Sequence, residues 1–437
     1  MSNRRSRQME KRVLFILQWT ALLLCLSMII LSGILVFSLL LGGDSTVADS
    51  TKQTDNTIAI QTLSSTVPTT AVETTPPASV EFLPENAACD LYFGKLPICE
   101  NPKEVTRTEM KAVYIGKKGY FDRNTELANN SEVNAFVIDL KESDGVWFNS
   151  KNELALEMGV VKSAYNLKET VEQCHANGIK VIGRIVTFKD PDLAAKKPEY
   201  SIQDKDGNQL FFTVENNNPF VSPYDTRVWD YNIDLAIEAI EAGVDEIQFD
   251  YVRFPAGADR TTSGTTPYFG ETDTIPTKSE VINRFLQYAR IRIQEEYGVP
   301  VSADVFATIL SSESDGYSIG QDWATVGLTG IDSVCPMIYP SHYSLGTSLN
   351  GKVFDRPDYY PYDIMYNALM VGKAKASVEN YAVVRPYLQA FSYSGSLVYE
   401  YPQINEQIKA LNDAGYTEWI LWNPSALYPS GVYDGVN

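Results

Sequence analysis

Asp250 and Arg253 stand three residues apart in Glu246-Ile-Gln-Phe-Asp-Tyr-Val-Arg-Phe-Pro255, an acid and a base closing a short apolar run. The alternation puts Gln248 and Asp250 on one face and Ile247, Phe249 and Tyr251 on the other, the pattern of a strand with one polar face. Pro255 ends the run. In a parallel α/β barrel the carboxyl ends of the strands face the active site, so an acid and an arginine there are functional candidates. The plainer reading is an Asp250–Arg253 ion pair that only pins a loop.

Other apolar runs end in similar groups: Asp139, Lys141, Glu142 and Asp144 on one, Arg184 on another, then Asp304, Tyr339 with nearby His342, Gln389, and Trp422 with Asn423. Two carboxylates across a barrel mouth can divide the work of glycoside hydrolysis, one as proton donor and the other as nucleophile or base. Asp250 takes the second role here, and Asp304 or Glu142 the first. Asp139, Arg184, Tyr251, Arg253, Tyr339, His342, Gln389 and Trp422 are the candidate substrate-binding residues, with Arg184 and Arg253 keeping carboxylates ionised and oriented. Against each stands an ordinary role, since barrel interiors contain satisfied ion pairs and Tyr and Trp fill cores more often than they bind sugars. His175 and His342 are the chain's only histidines and no CxxC pair occurs, so no zinc site and no cofactor is expected. Oxygen-ligated calcium stays open.

Positioning these groups takes a regular scaffold. Eight apolar runs alternate with helical patterns after Lys103: 111–115, 135–141, 180–188, 246–252, 300–307, 333–339, 384–391 and 418–423. The clearest helices are 166–177, 226–242, 277–297, 362–375 and 403–414, and Gly178, Gly243, Gly298 and Gly415 stand where a left-handed cap is wanted. Eight such repeats imply a (β/α)8 TIM barrel. The alternative is a doubly wound open sheet, which usually carries GxGxxG after its first strand; Gly116-Lys-Lys-Gly-Tyr120 does not match. A long insertion, 188–226, contains the turn signature Asp204-Lys-Asp-Gly-Asn208 and is expected to wall one side of the cleft. Fifteen residues follow Trp422 without an eighth helix, so the segment before the first strand is expected to cover that gap.

The formal charge of −19 is unevenly placed, because residues 1–12 carry +4 and the remainder −23. So acidic a body repels phosphate, which argues against nucleic acid and anionic lipid as its partners. Residues 13–41 form 29 positions without a charge, enough for a transmembrane helix, and the basic cluster before them predicts a cytoplasmic amino terminus with the rest extracytoplasmic. A cleaved signal peptide is the competing reading, but its apolar region is normally about 7 to 15 residues. Residues 42–88 are rich in Ser, Thr and Pro and form a disordered tether. Residues 89–437 then hold the barrel. Cys89 and Cys99 could close a small disulfide loop in an exported protein, or remain free thiols.

The 246–255 string, together with Tyr231-Asn-Ile-Asp234, Ala176-Asn-Gly-Ile-Lys-Val-Ile-Gly-Arg-Ile185 and Met337-Ile-Tyr-Pro340, resembles the bacterial DUF4015 family of glycoside hydrolase-like proteins, from about Thr108 onward. That resemblance implies a carbohydrate-active TIM barrel and leaves the substrate open. In the wider amylase-like barrels the fourth-strand Asp is the nucleophile, with an Arg two residues earlier and a fifth-strand Glu as acid. Asp250 matches the first of these, while Gln248 and Asp304 replace the other two, so Glu142 stands as the substitute acid. The expectation is a membrane-anchored extracytoplasmic barrel that hydrolyses a cell-surface or cell-wall polysaccharide. The alternatives are a non-catalytic glycan-binding barrel and a metal-dependent carbohydrate deacetylase, for which two histidines on different segments are poor material.

Overall fold

The computed structural model describes residues 83, 86–117, 120–258, 260–271, 275–431 and 433. The expected tail (1–12), membrane span (13–41) and the tether as far as residue 82 lie outside the described residues. Among those described, no helix is long and apolar enough to cross a membrane.

Eight parallel strands close into a barrel: β1 (Lys111–Gly116), β2 (Ala135–Glu142), β3 (Lys180–Val186), β4 (Glu246–Asp250), β5 (Val301–Phe306), β6 (Ser333–Ile338), β7 (Tyr387–Gln389) and β8 (Trp419–Trp422). Each pairs with its sequence neighbours, and β1 pairs with β8 as well as β2, which is the closure. The (β/α)8 expectation is met, and the open-sheet alternative fails at this pairing.

Period-2 alternation sorts the side chains. Outward residues such as Val113, Phe136, Ile247 and Phe249 pack in the large core shared with the helices, whereas Ala112, Val137, Ile182, Cys335, Tyr387 and Ile420 form a second cluster inside the barrel. The polar residues on the inner face of β4 occupy three successive levels. Glu246 lies lowest, gripped by two nitrogens of Arg385 at 2.8 and 3.0 Å and by the Ser302 hydroxyl at 2.5 Å. Arg385 also donates to Glu418 at 2.9 Å, so this buried floor is a paired charge network. Gln248, one level up, accepts the Tyr387 O–H at 2.6 Å. Asp250 reaches the mouth.

One irregularity changes what faces the mouth. The β2–β3 register shifts between Asp139 and Lys141, and such a bulge inverts the side-chain parity beyond it. Lys141 therefore turns away to Asp190 (2.8 Å) and the Tyr231 ring, while Glu142 comes to Arg184. Gly183, beside this point, has no room for a side chain: a Cβ there would lie 2.5 Å from Leu140 Cδ1.

The helices follow the expected pattern, at Leu167–Ala176, Thr226–Glu241, Lys278–Ala289, Pro361–Ala376 and Tyr401–Asp413. The four glycines expected as left-handed caps have φ between +70° and +102°. The segment before β1 does not fill the missing eighth helix position. Its helix, Ala87–Phe93, packs on the Lys278–Ala289 helix, where Arg284 pairs with Asp90 and donates to the Gly94 carbonyl at 2.6 Å. The following residues run beneath the barrel floor, where Arg107 pairs with Asp332 (3.1 Å) and with Glu418. The gap is closed by the irregular carboxyl-terminal segment instead, through the Tyr428 hydroxyl on the Tyr114 and Leu421 carbonyls (2.7 and 3.0 Å).

Cys89 and Cys99 carry free thiols, contrary to the disulfide reading. Cys89 lies in the first turns of the Ala87–Phe93 helix, buried, with its sulfur toward the Glu280 carbonyl at 3.6 Å, whereas Cys99 lies in the extended segment beyond. Burial pushes the Cys89 thiol up to about 12, with the charge of Arg284 opposing.

Candidate active site

Arg184, on β3, organises the mouth. Its Nε and Nη2 donate to Asp250 Oδ2 at 3.1 and 2.6 Å, and its Nη1 donates to Asp139 Oδ1 at 2.6 Å and also to Glu142. One buried guanidinium thus faces three carboxylates. Asp139 additionally accepts the Tyr114 hydroxyl at 2.5 Å, and burial lifts its carboxyl to about 6 against the attraction of Arg184. Glu142 shifts the other way: burial would raise it, but the charge and hydrogen bond of Arg184 outweigh that and hold it below the usual carboxylate range.

Asp250 Oδ1 accepts the backbone N–H of Tyr251 at 2.6 Å, so its two oxygens receive three N–H donors in all. Tyr251 reaches this position with φ +49°, a left-handed conformation unusual for a non-glycine residue. Behind it, Arg253 pairs with Glu215 (2.9 Å) and lies 4.8 Å from the Tyr251 ring and 4.6 Å from that of Phe306. The Asp250–Arg253 pair of the plainer reading is not formed. Asp250 belongs to Arg184, and Arg253 supports two rings of the cleft wall from the back.

Asp304, on the neighbouring strand β5, has the opposite surroundings. It is 1% exposed, the Tyr387 hydroxyl stands 3.3 Å from its Oδ2 but is committed to Gln248 at 2.6 Å, and its Oδ1 has no partner. Burial first, and then the charge of Asp250, push its carboxyl well above the ordinary range, with Arg184 opposing.

Both aspartates line one cleft of about 670 Å3, walled by the segments after β5 (Phe306–Asp315) and β6 (Tyr339–Leu349). That volume falls in the usual range for small-molecule sites, about 300–1,000 Å3. Arg184, Tyr251, Tyr339, His342 and Trp422 line it too. Glu142, Asp139, Arg253 and Gln389 are not among the lining residues: the first three belong to the ion pairs just described. Gln389 is fully buried, accepting from the Ser341 N–H (3.0 Å) and donating to the Phe391 carbonyl (2.9 Å). Sequence reasoning passed over Tyr343, whose buried hydroxyl has no partner, and the hydroxyl-rich rim of Thr308, Ser311, Ser312, Thr347 and Ser348. Length alone hinted at these, since the stretches after β5 and β6 exceed what a short connection needs.

An eight-stranded parallel barrel with two carboxylates of unlike surroundings in a shared cleft is an arrangement that glycoside hydrolysis can use. The chain belongs to the family DUF4015, described as "putative glycosyl hydrolase domain", which matches residues 110–428. No curated protein matches it. Among solved structures, a hypothetical protein from Ruminiclostridium thermocellum is 39% identical over 44% of this chain and 97% of its own, with a TM-score of 0.39. The PgaB (BpsB) glycoside hydrolase domain from Bordetella bronchiseptica covers 73% of this chain and 95% of its own at 13% identity and TM-score 0.52, a likeness of fold. The catalytic domain of β-amylase from Paenibacillus polymyxa covers 76% and 97% at 12% identity and TM-score 0.46.

Proposed function

We propose that this barrel hydrolyses a glycosidic bond in a cell-surface or cell-wall polysaccharide, with Asp304 as proton donor and Asp250 as the carboxylate that attacks the anomeric carbon or activates water. The observation that supports it is the contrast between the two aspartates: Asp250 receives three N–H donors, whereas Asp304 is buried with one oxygen unpartnered and its carboxyl shifted up. Glycosidases need this division, one carboxyl holding its proton and the other not. In the step itself, the Asp304 proton passes to the glycosidic oxygen as its bond to the anomeric carbon breaks. Asp250 supplies the electron pair to that carbon through a water whose proton it takes, or directly, in which case a water that gives its proton to the Asp304 carboxylate then displaces Asp250 from the carbon. Arg184 keeps Asp250 oriented throughout. Glu142 suits the donor role less, because Arg184 holds it ionised and it does not line the cleft.

Residues 13–41 are proposed to anchor the chain with the barrel outside the cytoplasm, tethered by 42–82; the expected tether boundary at 88 is too late, because Leu83 and Asn86 already bond to the barrel and Ala87 opens a helix. The test is release of new reducing ends from purified cell-wall and capsular polysaccharides by the full-length protein in detergent. Activity that disappears in Asp304→Asn supports the reading. Binding of a polysaccharide with no new ends would instead mean a glycan-binding barrel.

A further inference from the structure

Four aromatic rings cluster at one edge of the cleft, with His342 and Phe391 (5.9 Å apart) side by side between Tyr339 and Tyr393. Tyr339 follows β6 and His342 closes the turn after it, and both line the cleft. Phe391 and Tyr393 follow β7. Ring centroids lie 5.1 Å apart for Tyr339–His342, 5.5 Å for Tyr339–Phe391, 5.6 Å for Phe391–Tyr393 and 6.2 Å for His342–Tyr393. Tyr339 is 7% exposed and Phe391 half-buried, whereas His342 and Tyr393 are exposed, the latter to 54%. A cluster that served only as core would end with its rings covered; this one ends with a ring in solvent, continuous with the wall of the cleft.

The ridge is also held in place. Gln389, buried between the two loops, accepts from the Ser341 N–H and donates to the Phe391 carbonyl, so a single amide fixes both halves. The Tyr393 loop is tied further, by the Ser396 hydroxyl on the Tyr393 N–H (3.2 Å) and by the Ser392 hydroxyl accepting from Tyr399 N–H (2.8 Å). Rings fixed before binding lose little freedom when a ligand stacks on them.

We infer that the His342–Phe391–Tyr393 ridge is an outer sugar-binding subsite, and that the substrate is a glycan chain extending past the cleft rather than a short saccharide held within it. This rests on the glycosidase reading of the cleft. A pyranose presents a face of C–H groups that fits an apolar ring, while its hydroxyls stay in water. The ridge offers such rings without charged groups of its own, and the continuity with the cleft is what selects a polymer as occupant.

The test uses the full-length Asp250→Asn protein in detergent, so that no probe is consumed. Binding of cellohexaose, chitohexaose, maltohexaose and xylohexaose is compared with binding of the matching disaccharides by titration calorimetry. The expected result is a hexasaccharide bound about tenfold more tightly than its disaccharide, with that ratio falling toward one when Tyr393→Ala is added and kept with Tyr393→Phe. A ratio near one from the start, or one unmoved by Tyr393→Ala, overturns the subsite while leaving the cleft's reading in place. No binding by any saccharide overturns both.

Discussion

Asp304→Asn tests the donor assignment through two readouts that a structural role would move differently. The carboxyl is buried with one oxygen unpartnered and Asp250 nearby, and both burial and that charge push its pKa in the folded state well above its unfolded value. A group raised in this way contributes stability below its unfolded pKa, near 4, and that contribution is lost as pH rises through the folded value. Each pH unit in that window costs the wild type about 1.4 kcal/mol that the Asn variant does not lose. Unfolding entropy of about 2.1 cal/mol/K per residue over roughly 350 residues converts this to about 2 °C of Tm per pH unit. Asp304→Asn should therefore match the wild type near pH 4 and exceed it progressively toward neutrality. Its turnover should fall by about 10²- to 10⁴-fold, the usual worth of a positioned general acid, and the wild-type alkaline limb, set by ionisation of Asp304, should vanish from the residual rate. Calorimetric melts from pH 4 to 8 with parallel reducing-end assays measure both. A variant less stable than wild type at pH 7, with undiminished turnover per folded molecule, would refute the reasoning and make Asp304 a core hydrogen-bonding group.

Three further expectations follow from the same geometry. Arg253→Gln takes one partner from Glu215, which keeps Lys189 (3.0 Å) and the Ala256 N–H (3.0 Å), and should lower stability by about 1 to 3 kcal/mol in urea unfolding while changing the rate per folded molecule far less; an unchanged stability with lost turnover would put Arg253 in the cleft after all. Alkylation of the native protein without reductant should label Cys99 and spare the buried, hard-to-ionise Cys89, and unfolding should release both; two thiols unreactive even when unfolded would restore the disulfide. Protease added to intact, wall-stripped cells should remove the barrel and leave a short membrane stub, and a barrel protected until lysis would contradict the proposed orientation.

How much of this was legible in the sequence depended on how local the cause was. The eight strands and their glycine caps follow from alternation and backbone conformation over a few residues, and they appear within a few positions of where they were expected. Asp250, Asp304, Arg184, Tyr339 and Trp422 line one cleft, as the convergence of strand ends in a closed parallel barrel requires. The pairings were another matter. Arg253 chose Glu215, which lies in the long insertion, over the Asp250 three residues away, and nothing local announces that. Strict alternation would have aimed Lys141 into the mouth, but a bulge at Asp139/Lys141 exchanges it for Glu142. Gln389 was read as a ligand for sugar because it ends a strand, whereas the two loops beside it absorb both ends of its amide.

The most direct test of paired-carboxylate hydrolysis is turnover of Asp250→Asn per folded molecule, measured as new reducing ends alongside its Tm. Asn keeps the size of Asp and its one carbonyl oxygen can still accept from Arg184, though its amide nitrogen cannot accept from the Tyr251 N–H as Oδ1 of Asp250 does; it can neither attack an anomeric carbon nor offset its developing charge. A folded variant without detectable turnover is the predicted result. A variant that melts early yet retains wild-type turnover in its folded fraction would contradict the assignment and leave Asp250 as no more than the partner of Arg184.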